Sequence, residues 1–457
     1  MDVPEALRAQ NEWWATGRVP QAFLPKWKRP EFGRMLSLLD DGRITALIGP
    51  RRTGKTTLMY QLADHLISKG VDPRSILFFS ADDPALARLG ESLFEEVLSA
   101  YYDEILVGER RSKKTYVLID EIHMQQGWER WLKRYYDLKY AIKFVISSSS
   151  ATHVSRRSKE SLVGRISEIS VLPLNFPDYL SLIGEGAVAE HYRGMTPEKA
   201  LADRISALKF SEKARLLLNR YLLYGGMPEG ASQSDLRLWQ EKLLSDVMRK
   251  AIYRDLVEAY GVRSPKKLED LFIFMAYNCG TPLSYSSIAQ NLGISIESVI
   301  NYTSYLSEAC LAGELMLYSK SVEKSLRANR KYFLTDPGLQ NAITRVSEIA
   351  SAKAGPIIES AVQKHMHALF MNTGRELFYW RDVEEVDLVL RDGQRITPLE
   401  VKYASSIQKS ELKGILKFMT KFKVRRGIVV TKDILERRSM DEKELLLIPA
   451  WLFLLSA

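Results

Sequence analysis

The sequence predicts an α/β chain: a parallel sheet covered by helices comes first, then a mostly helical stretch, then a second α/β part. Three observations carry this. Between about Arg43 and Val171, short apolar runs rich in β-branched or aromatic residues (ITALIG, SILFFS, TYVLID, KFVISS, ISEISVL) alternate with amphipathic helical stretches, the pattern of strands buried on both faces. From about Asn175 to Tyr260 the pattern is mostly helical, broken at Gly225-Gly226-Met227-Pro228. From Gly355 onward a helix precedes strands and further helices. The 457 residues suit roughly three domains at ~150 residues each. Hydrophobic residues at 46% and charged residues at 26% exclude wholesale disorder and a fibrous protein.

The opening stretch MDVPEALRAQNEWWATGRVP has no long apolar run after a basic start, so no secretory signal is expected. Cys279 and Cys310 are too few for a disulfide framework or a zinc knuckle, which points to a reducing, cytoplasmic setting. The longest apolar run, Leu445 to Leu455, contains Pro449 and has half the length a bilayer needs, so it reads as a buried terminal strand and no membrane association is expected. Lys plus Arg exceed Asp plus Glu by 65 to 56, a net charge of +9 that suits a polyanionic partner.

Gly49-Pro50-Arg51-Arg52-Thr53-Gly54-Lys55-Thr56 fits G-x-x-x-x-G-K-[ST], directly after the strand ITALI and before the helix TTLMYQLADHLI. Such a loop curls backbone N–H groups around phosphate oxygens at a helix N-terminus, extending to Thr57. Lys55 reaches the β and γ phosphates, and the Thr56 hydroxyl takes Mg²⁺. A second strand, Tyr116 to Ile119, ends in Asp120-Glu121, where Asp120 would hold the magnesium ion through water and Glu121 would polarise the attacking water. His123 reads as a surface residue without a role. A third strand, Lys143 to Ile146, ends in Ser147-Ser148-Ser149-Ser150; these hydroxyls, Ser149 foremost, either sense the γ-phosphate or form a plain serine-rich loop. Beyond them lie Arg156, Arg157 and Arg165, and Arg165 is the candidate for reaching transition-state charge.

At this point the chain resembles the AAA-type P-loop ATPases of archaea and bacteria that carry a C-terminal restriction-endonuclease-like domain. The matching stretches are QNEWW, IGPRRTGKTTLMYQL, VLIDEIH, ISSSSA followed by SLVGR, VLPLNFPDYL, YGGMPE, YWRDVEEVDLVL and PLEVKYA, which together cover nearly the whole chain. The ordered set GGMPE, EVDLVL and LEVK is specific to this branch. The resemblance implies a P-loop NTPase (AAA-type) parallel sheet, ATP and Mg²⁺ as cofactors, and a helical lid. The chain departs from the family at Ser148, where relatives usually have glycine, which leaves the sensor position open. The expected division is 1–175 for the ATPase core, 176–262 for the lid, 263–350 for a winged helix-turn-helix and 351–457 for the restriction-endonuclease-like domain, its boundary falling in Ser351–Pro356.

In the middle part, Leu271–Ala276, Tyr285–Leu292 and Ile296–Leu311 read as three helices with a turn at Gly293. ELMLYSKS and RKYFLTDPG then read as a two-stranded wing with Lys320, Lys324, Arg327, Arg330 and Lys331 in or beside it. This is either a DNA-binding module or a packing module that links the ATPase to the tail. The third helix offers Asn301, Tyr302 and Ser304 but no arginine, so contact with DNA would not be sequence-specific.

In the tail, Asp392-Gly393 signals a two-residue hairpin that sets Asp387 opposite Pro398 and places Asp387, Glu400 and Lys402 on one face, with Leu388, Leu390, Leu399 and Val401 on the other. Two carboxylates and a lysine so arranged match metal-dependent phosphodiester cleavage, with Asp387 and Glu400 as metal ligands; plain salt bridges are the alternative. Glu359, on a helix starting after Pro356, matches the family's additional acidic metal position. Lys409, Lys413, Lys417 and Lys421 line one edge of an amphipathic helix, while His365 and His367 point apart and form no metal pair.

The expected function is a Mg²⁺-dependent ATPase acting on nucleic acid, most simply DNA, with cleavage by the tail left open. The alternative is an ATP-gated protein-interaction switch with a catalytically inactive nuclease-like domain. A protein partner, a homo-oligomer, and an arginine acting within or between chains all remain open.

Overall fold

Five of the apolar runs become β1 (Ile44–Ile48), β2 (Ile76–Ser80), β3 (Thr115–Asp120), β4 (Ile142–Ser148) and β5 (Ile166–Ser170), paired in parallel in the order β2-β3-β4-β1-β5. The computed structural model describes residues 2–107, 113–149, 162, 164–349, 351–371, 373–440 and 442–456, with backbone alone for 351–353. They divide into two compact units, Met1–Leu172 and Pro173–Ala457.

Alternation along each strand feeds two cores in the first unit. Ala46, Ile48, Leu77, Phe79, Val117, Ile119, Phe144 and Ile146 pack on one face, while Leu47, Ile76, Phe78, Leu118 and Val145 meet Leu58, Met59, Leu62 and Leu66 of helix Lys55–Ser68 on the other. Both faces are apolar because both are covered, which is why these strands read as continuous runs. The outer edge of β2 is closed by side chains of QNEWW. Asn11 donates to the Phe78 carbonyl and accepts from its N–H, both at 2.7 Å, Gln10 accepts from the Ser80 N–H at 2.9 Å, and the Trp13 and Trp14 indoles donate to the Ile76 carbonyl at 3.0 and 2.9 Å. Side chains here take the place of a sixth strand.

The second unit is organised by a nine-stranded sheet. Its strands are β6 (Pro282–Leu283), β7 (Ala312–Leu317), β8 (Arg330–Leu334), β9 (Glu376–Arg381), β10 (Glu385–Asp392), β11 (Arg395–Lys402), β12 (Arg426–Thr431), β13 (Glu436–Met440) and β14 (Lys443–Pro449), in the order β13-β14-β12-β11-β10-β9-β7-β8-β6. β7 joins its two parts, pairing antiparallel with β8 and parallel with β9 through Met316↔Phe378 and Leu317↔Tyr379. The strands read as a wing and the strands of the tail therefore share one sheet.

Several local expectations change. Helix Val322–Arg327 stands between β7 and β8 in place of a bare hairpin, and Arg330 turns inward to donate to the carbonyls of Ser325, Leu326 and Ala328. Helix Ser351–Phe370 runs through Pro356 instead of starting after it, because a proline in the early turns forfeits one backbone bond without ending the helix. The hairpin pairs Leu388 with Leu399 and Val389 with Pro398, so the turn is Gly393-Gln394, and the pairing is displaced by two residues from the expected register. An even displacement preserves faces. The division into a polar and an apolar face does not hold, since Val386, Leu388, Val389 and Leu399 are all buried and a bulge interrupts β10 between Val386 and Val389. The terminal apolar run is half strand and half helix: β14 ends at Pro449 and helix Ala450–Ser456 follows.

The helical stretch is tied to the rest of its unit at GGMPE. The Gly226 N–H donates to Asp336 at 2.6 Å, and a Cβ on Gly226 would stand 2.2 Å from the Leu174 carbonyl oxygen, so only glycine fits. Asp336 also caps helix Pro337–Thr344 through the Leu339 N–H. Among the described residues no helix is long and apolar enough to cross a membrane.

Candidate functional site

β1 ends at Ile48 and the chain turns through Gly49–Gly54 into helix Lys55–Ser68. A Cβ on Gly49 would lie 2.0 Å from the Val171 carbonyl oxygen, so the strand-to-loop turn passes too close to β5 for any side chain. Arg52 and Gly54 carry φ of 65° and 94°, the left-handed turns that curl the loop, and Thr53 ties it internally to the Pro50 carbonyl at 2.9 Å. Arg29, which sequence patterning did not flag, is buried and donates to the carbonyls of Thr53 and Leu172, bracing the loop from outside. The buried Lys55 ammonium bridges the carbonyls of Gly49 and Pro50 at 2.9 Å each. The first N–H groups of the helix, through Thr57, have no intrahelical acceptor and face the loop, the arrangement that favours an anion.

The ends of β3 and β4 supply the acidic side. Thr56 donates to Asp120 at 2.6 Å, and the Ser147 hydroxyl donates to the other Asp120 oxygen while accepting the Glu121 N–H at 2.9 Å. Burial pushes the Asp120 carboxyl up and the Glu121 charge adds to this, while the Ser147 and Thr56 hydroxyls and Lys55 pull it back. Glu121 itself has φ of 49°, a left-handed position that turns its side chain out of the strand line. His123 is not at the surface: its side chain is fully buried, with Nδ1 3.3 Å from Glu121 Oε2 and Nε2 3.1 Å from Ser149 Oγ.

The structure thus gathers Lys55, Thr56, Asp120, Glu121 and Ser149 at the carboxyl ends of β1, β3 and β4, and adds Ser147 and His123. Ser147 lay within the expected hydroxyl run; its particular role follows from β3 and β4 being neighbours, which spacing does not show. Ser150, Arg156 and Arg157 lie outside the described residues. Arg165 is not brought to the loop of its own chain. Its carbonyl accepts from Ile44 at the start of β1, its guanidinium pairs with Asp137 at 2.9 Å, and the five-residue strand separating it from the loop spans roughly 16 Å. A cleft of about 700 Å³ lined by Asp41, Arg43, Tyr136 and Lys143 opens at that same amino end and shares no residue with the loop.

In the second unit Glu359, Asp387 and Glu400 do come together, with Glu385 and two lysines. Lys331 of β8, fully buried, lies 2.6 Å from Glu385, 2.9 Å from Glu359 and 3.4 Å from Asp387. Burial would lower this ammonium, but the charges of Glu359, Asp387 and Glu385 reverse that and hold it above the ordinary lysine range. Lys402 pairs with Glu400 at 2.7 Å, and the Val401 N–H donates to Asp387 at 2.8 Å. Burial, reinforced by the Asp387 charge, pushes Glu359 and Glu400 each up to about 8. Among the described residues no three carboxylate, imidazole or thiol groups are arranged to hold a metal ion. The expectation that Glu359, Asp387 and Glu400 present a metal site does not fit this arrangement, since ammonium groups already answer these carboxylates.

Residues 41–180 match the model of the family described as "AAA domain". The chain carries an AAA domain of the P-loop ATPase type. Beyond the AAA domain, residues 215–350 and 354–451 match two domains of unknown function, DUF8612 and DUF4143. An uncharacterized protein of Haemophilus influenzae is 23% identical over 428 residues, covering 92% of this chain and 96% of the relative. An uncharacterized protein of Methanocaldococcus jannaschii is 24% identical over 403 residues, covering 86% and 82%. Among solved structures, the Thermotoga maritima RuvB Holliday junction branch migration motor aligns with 63% of this chain and 89% of its own, at 17% identity and a TM-score of 0.29.

Proposed function

We propose that the AAA domain is a Mg²⁺-dependent ATP hydrolase. The observation that carries this is the hydrogen-bonded line Thr56–Asp120–Ser147–Glu121 beside Lys55 and the glycine loop. The donor set fits a magnesium triphosphate: the left-handed turns at Arg52 and Gly54 curl the loop at the helix N-terminus, and the Thr56 hydroxyl with the Asp120 carboxylate offers the oxygen donors Mg²⁺ prefers. When bound, the ion neutralises phosphate charge. Lys55, now on its loop carbonyls, would bind the β and γ phosphate oxygens, and the N–H groups up to Thr57 would serve the same anion. Glu121 would orient the attacking water and accept its proton at a carboxylate oxygen as the new O–P bond forms and the bond from the γ-phosphorus to the bridging oxygen breaks, ADP leaving; Ser149 is the candidate for sensing the γ-phosphate. Lys55→Ala should abolish turnover. Glu121→Gln should retain ATP binding by calorimetry with turnover reduced at least 100-fold, and unchanged turnover in both variants refutes the site.

For the work coupled to hydrolysis, we propose non-sequence-specific contact with a nucleic-acid backbone, most simply DNA, by the second unit. The net charge of +9 and the row Lys409, Lys413, Lys417 and Lys421, which is exposed except for half-buried Lys417, support it. The helix–strand–helix–helix–strand–helix–strand order of residues 265–334, with β7 and β8 antiparallel, supports a winged-helix reading of 263–350. The parallel pair β11 and β12, with helix Lys413–Phe422 between them in sequence, supports a nuclease-like reading of 351–457. A second reading, an ATP-gated protein-interaction switch, is favoured by helix Ile296–Glu308, whose exposed face carries Ile296 (49%) and Ile300 (45%) around Glu297 and no cation. ATPase rates with and without single-stranded, duplex and branched DNA separate them. Stimulation that falls with salt supports the first, and insensitivity to every polynucleotide supports the second.

A further inference from the structure

We infer that Lys331 takes the seat of a divalent cation in the carboxylate cluster of the second unit, so that this tail folds around an internal ammonium, holds no metal and cuts no phosphodiester. Glu359, Glu385 and Asp387 arrive from a helix and from two positions on β10, and all three meet at one nitrogen, at 2.9, 2.6 and 3.4 Å. Convergence of oxygens from separate segments on one point is what a hard cation requires. Here the point is occupied by a side chain of the same molecule with no exposed surface.

The lysine is anchored at its base. β8 is paired on both sides, with β7 through Leu315↔Lys331 and with β6 through Pro282↔Lys331. Its neighbour Tyr332 accepts through its carbonyl from the Gly280 N–H at 3.1 Å. Gly280 has φ of 78°, and a Cβ there would stand 2.7 Å from a Glu359 carboxylate oxygen, so the turn before β6 presses directly on the acid that Lys331 binds. The middle and tail parts of the sheet therefore meet at this ion cluster. Glu400 is engaged by Lys402 through one oxygen, and its second oxygen is buried without a hydrogen-bond partner. A divalent ion entering here would face an ammonium in its own position and would have to displace a lysine that its strand does not release.

No step of ATP hydrolysis is involved, so the test runs without nucleotide, by counting Mn²⁺ ions bound to the full chain from the electron paramagnetic resonance of free Mn²⁺. Wild type and Asp387→Asn should bind the same number. Lys331→Met, which keeps an unbranched side chain as far as Cε and removes the ammonium, should gain one Mn²⁺, and Lys331→Met/Asp387→Asn should lose it again. Loss of one Mn²⁺ equivalent from wild type on Asp387→Asn overturns the inference, as does a folded Lys331→Met chain that gains none. Where Lys331→Met does not fold, by its circular dichroism melt, the comparison of wild type with Asp387→Asn decides alone.

Discussion

Ser147→Ala removes one oxygen that serves both acids of the nucleotide site. The hydroxyl is fully buried, donates to Asp120 and accepts the Glu121 N–H, so its loss leaves a buried carboxylate oxygen without its donor and a backbone N–H without its acceptor. A hydrogen bond to a charged group contributes about 1.5–3 kcal/mol, and an orphaned buried donor costs about 1–3 kcal/mol. Thr56 still serves the other Asp120 oxygen, which places the combined loss near the lower sum, about 2.5 kcal/mol. In a unit of this size that corresponds to a fall in melting temperature of about 5–10 °C. Glu121 then has no fixed backbone at its left-handed position, and kcat should fall about 10–100-fold while the affinity for ATP, set by the loop and Lys55, changes little. Thermal melts of wild type and variant, with steady-state hydrolysis at saturating ATP, read both effects. A melting temperature within 1 °C of wild type together with an unchanged kcat refutes the coupling of the two acids through Ser147.

Asn11→Ala should uncover the β2 edge: Phe78 loses partners for both its N–H and its carbonyl, a cost of about 2–4 kcal/mol read from urea midpoints, accompanied by concentration-dependent aggregation. His365 is fully buried and burial pushes it down to about 3, so the folded chain keeps it neutral while the unfolded chain takes up a proton below about pH 6.5. Stability from this residue is complete above that pH and is lost as pH falls toward 3. His365→Met should therefore remove about 2 kcal/mol of the difference in stability between pH 7 and pH 5. Changing Lys409, Lys413, Lys417 and Lys421 to Gln should lower the slope of log affinity for DNA against log salt by about 3 to 4; an unchanged slope places the contact elsewhere.

The nucleotide site was legible because its parts are local. Gly49–Thr56 is one strand-to-helix turn, and Asp120-Glu121 ends one apolar run, so spacing alone brings out both. His123 and Ser147 were not, because their roles exist only once β3 and β4 lie side by side. The tail shows the same limit: Asp392-Gly393 announced a hairpin, yet the turn slid to Gly393-Gln394, a displacement that turn propensity does not resolve. Arg165, after the serine run, was the candidate for reaching transition-state charge, within or between chains. A parallel strand returns its chain to the amino end of the sheet before it starts, and that is where Arg165 stays.

By itself the sequence determined the α/β class, the phosphate-binding turn, the acids at a strand end and the amphipathic lysine helix, since each follows from the identity of residues within one or two turns of chain. Tertiary structure decided which serine holds the acids, how the β2 edge is closed and, above all, that Lys331 is buried as the counter-charge of Glu359, Glu385 and Asp387. That assignment depends on β7 pairing with β8 on one side and β9 on the other, joining segments about 60 residues apart. Such pairing is set by backbone hydrogen bonds and shared burial, which leave no periodic mark on the residues that make it.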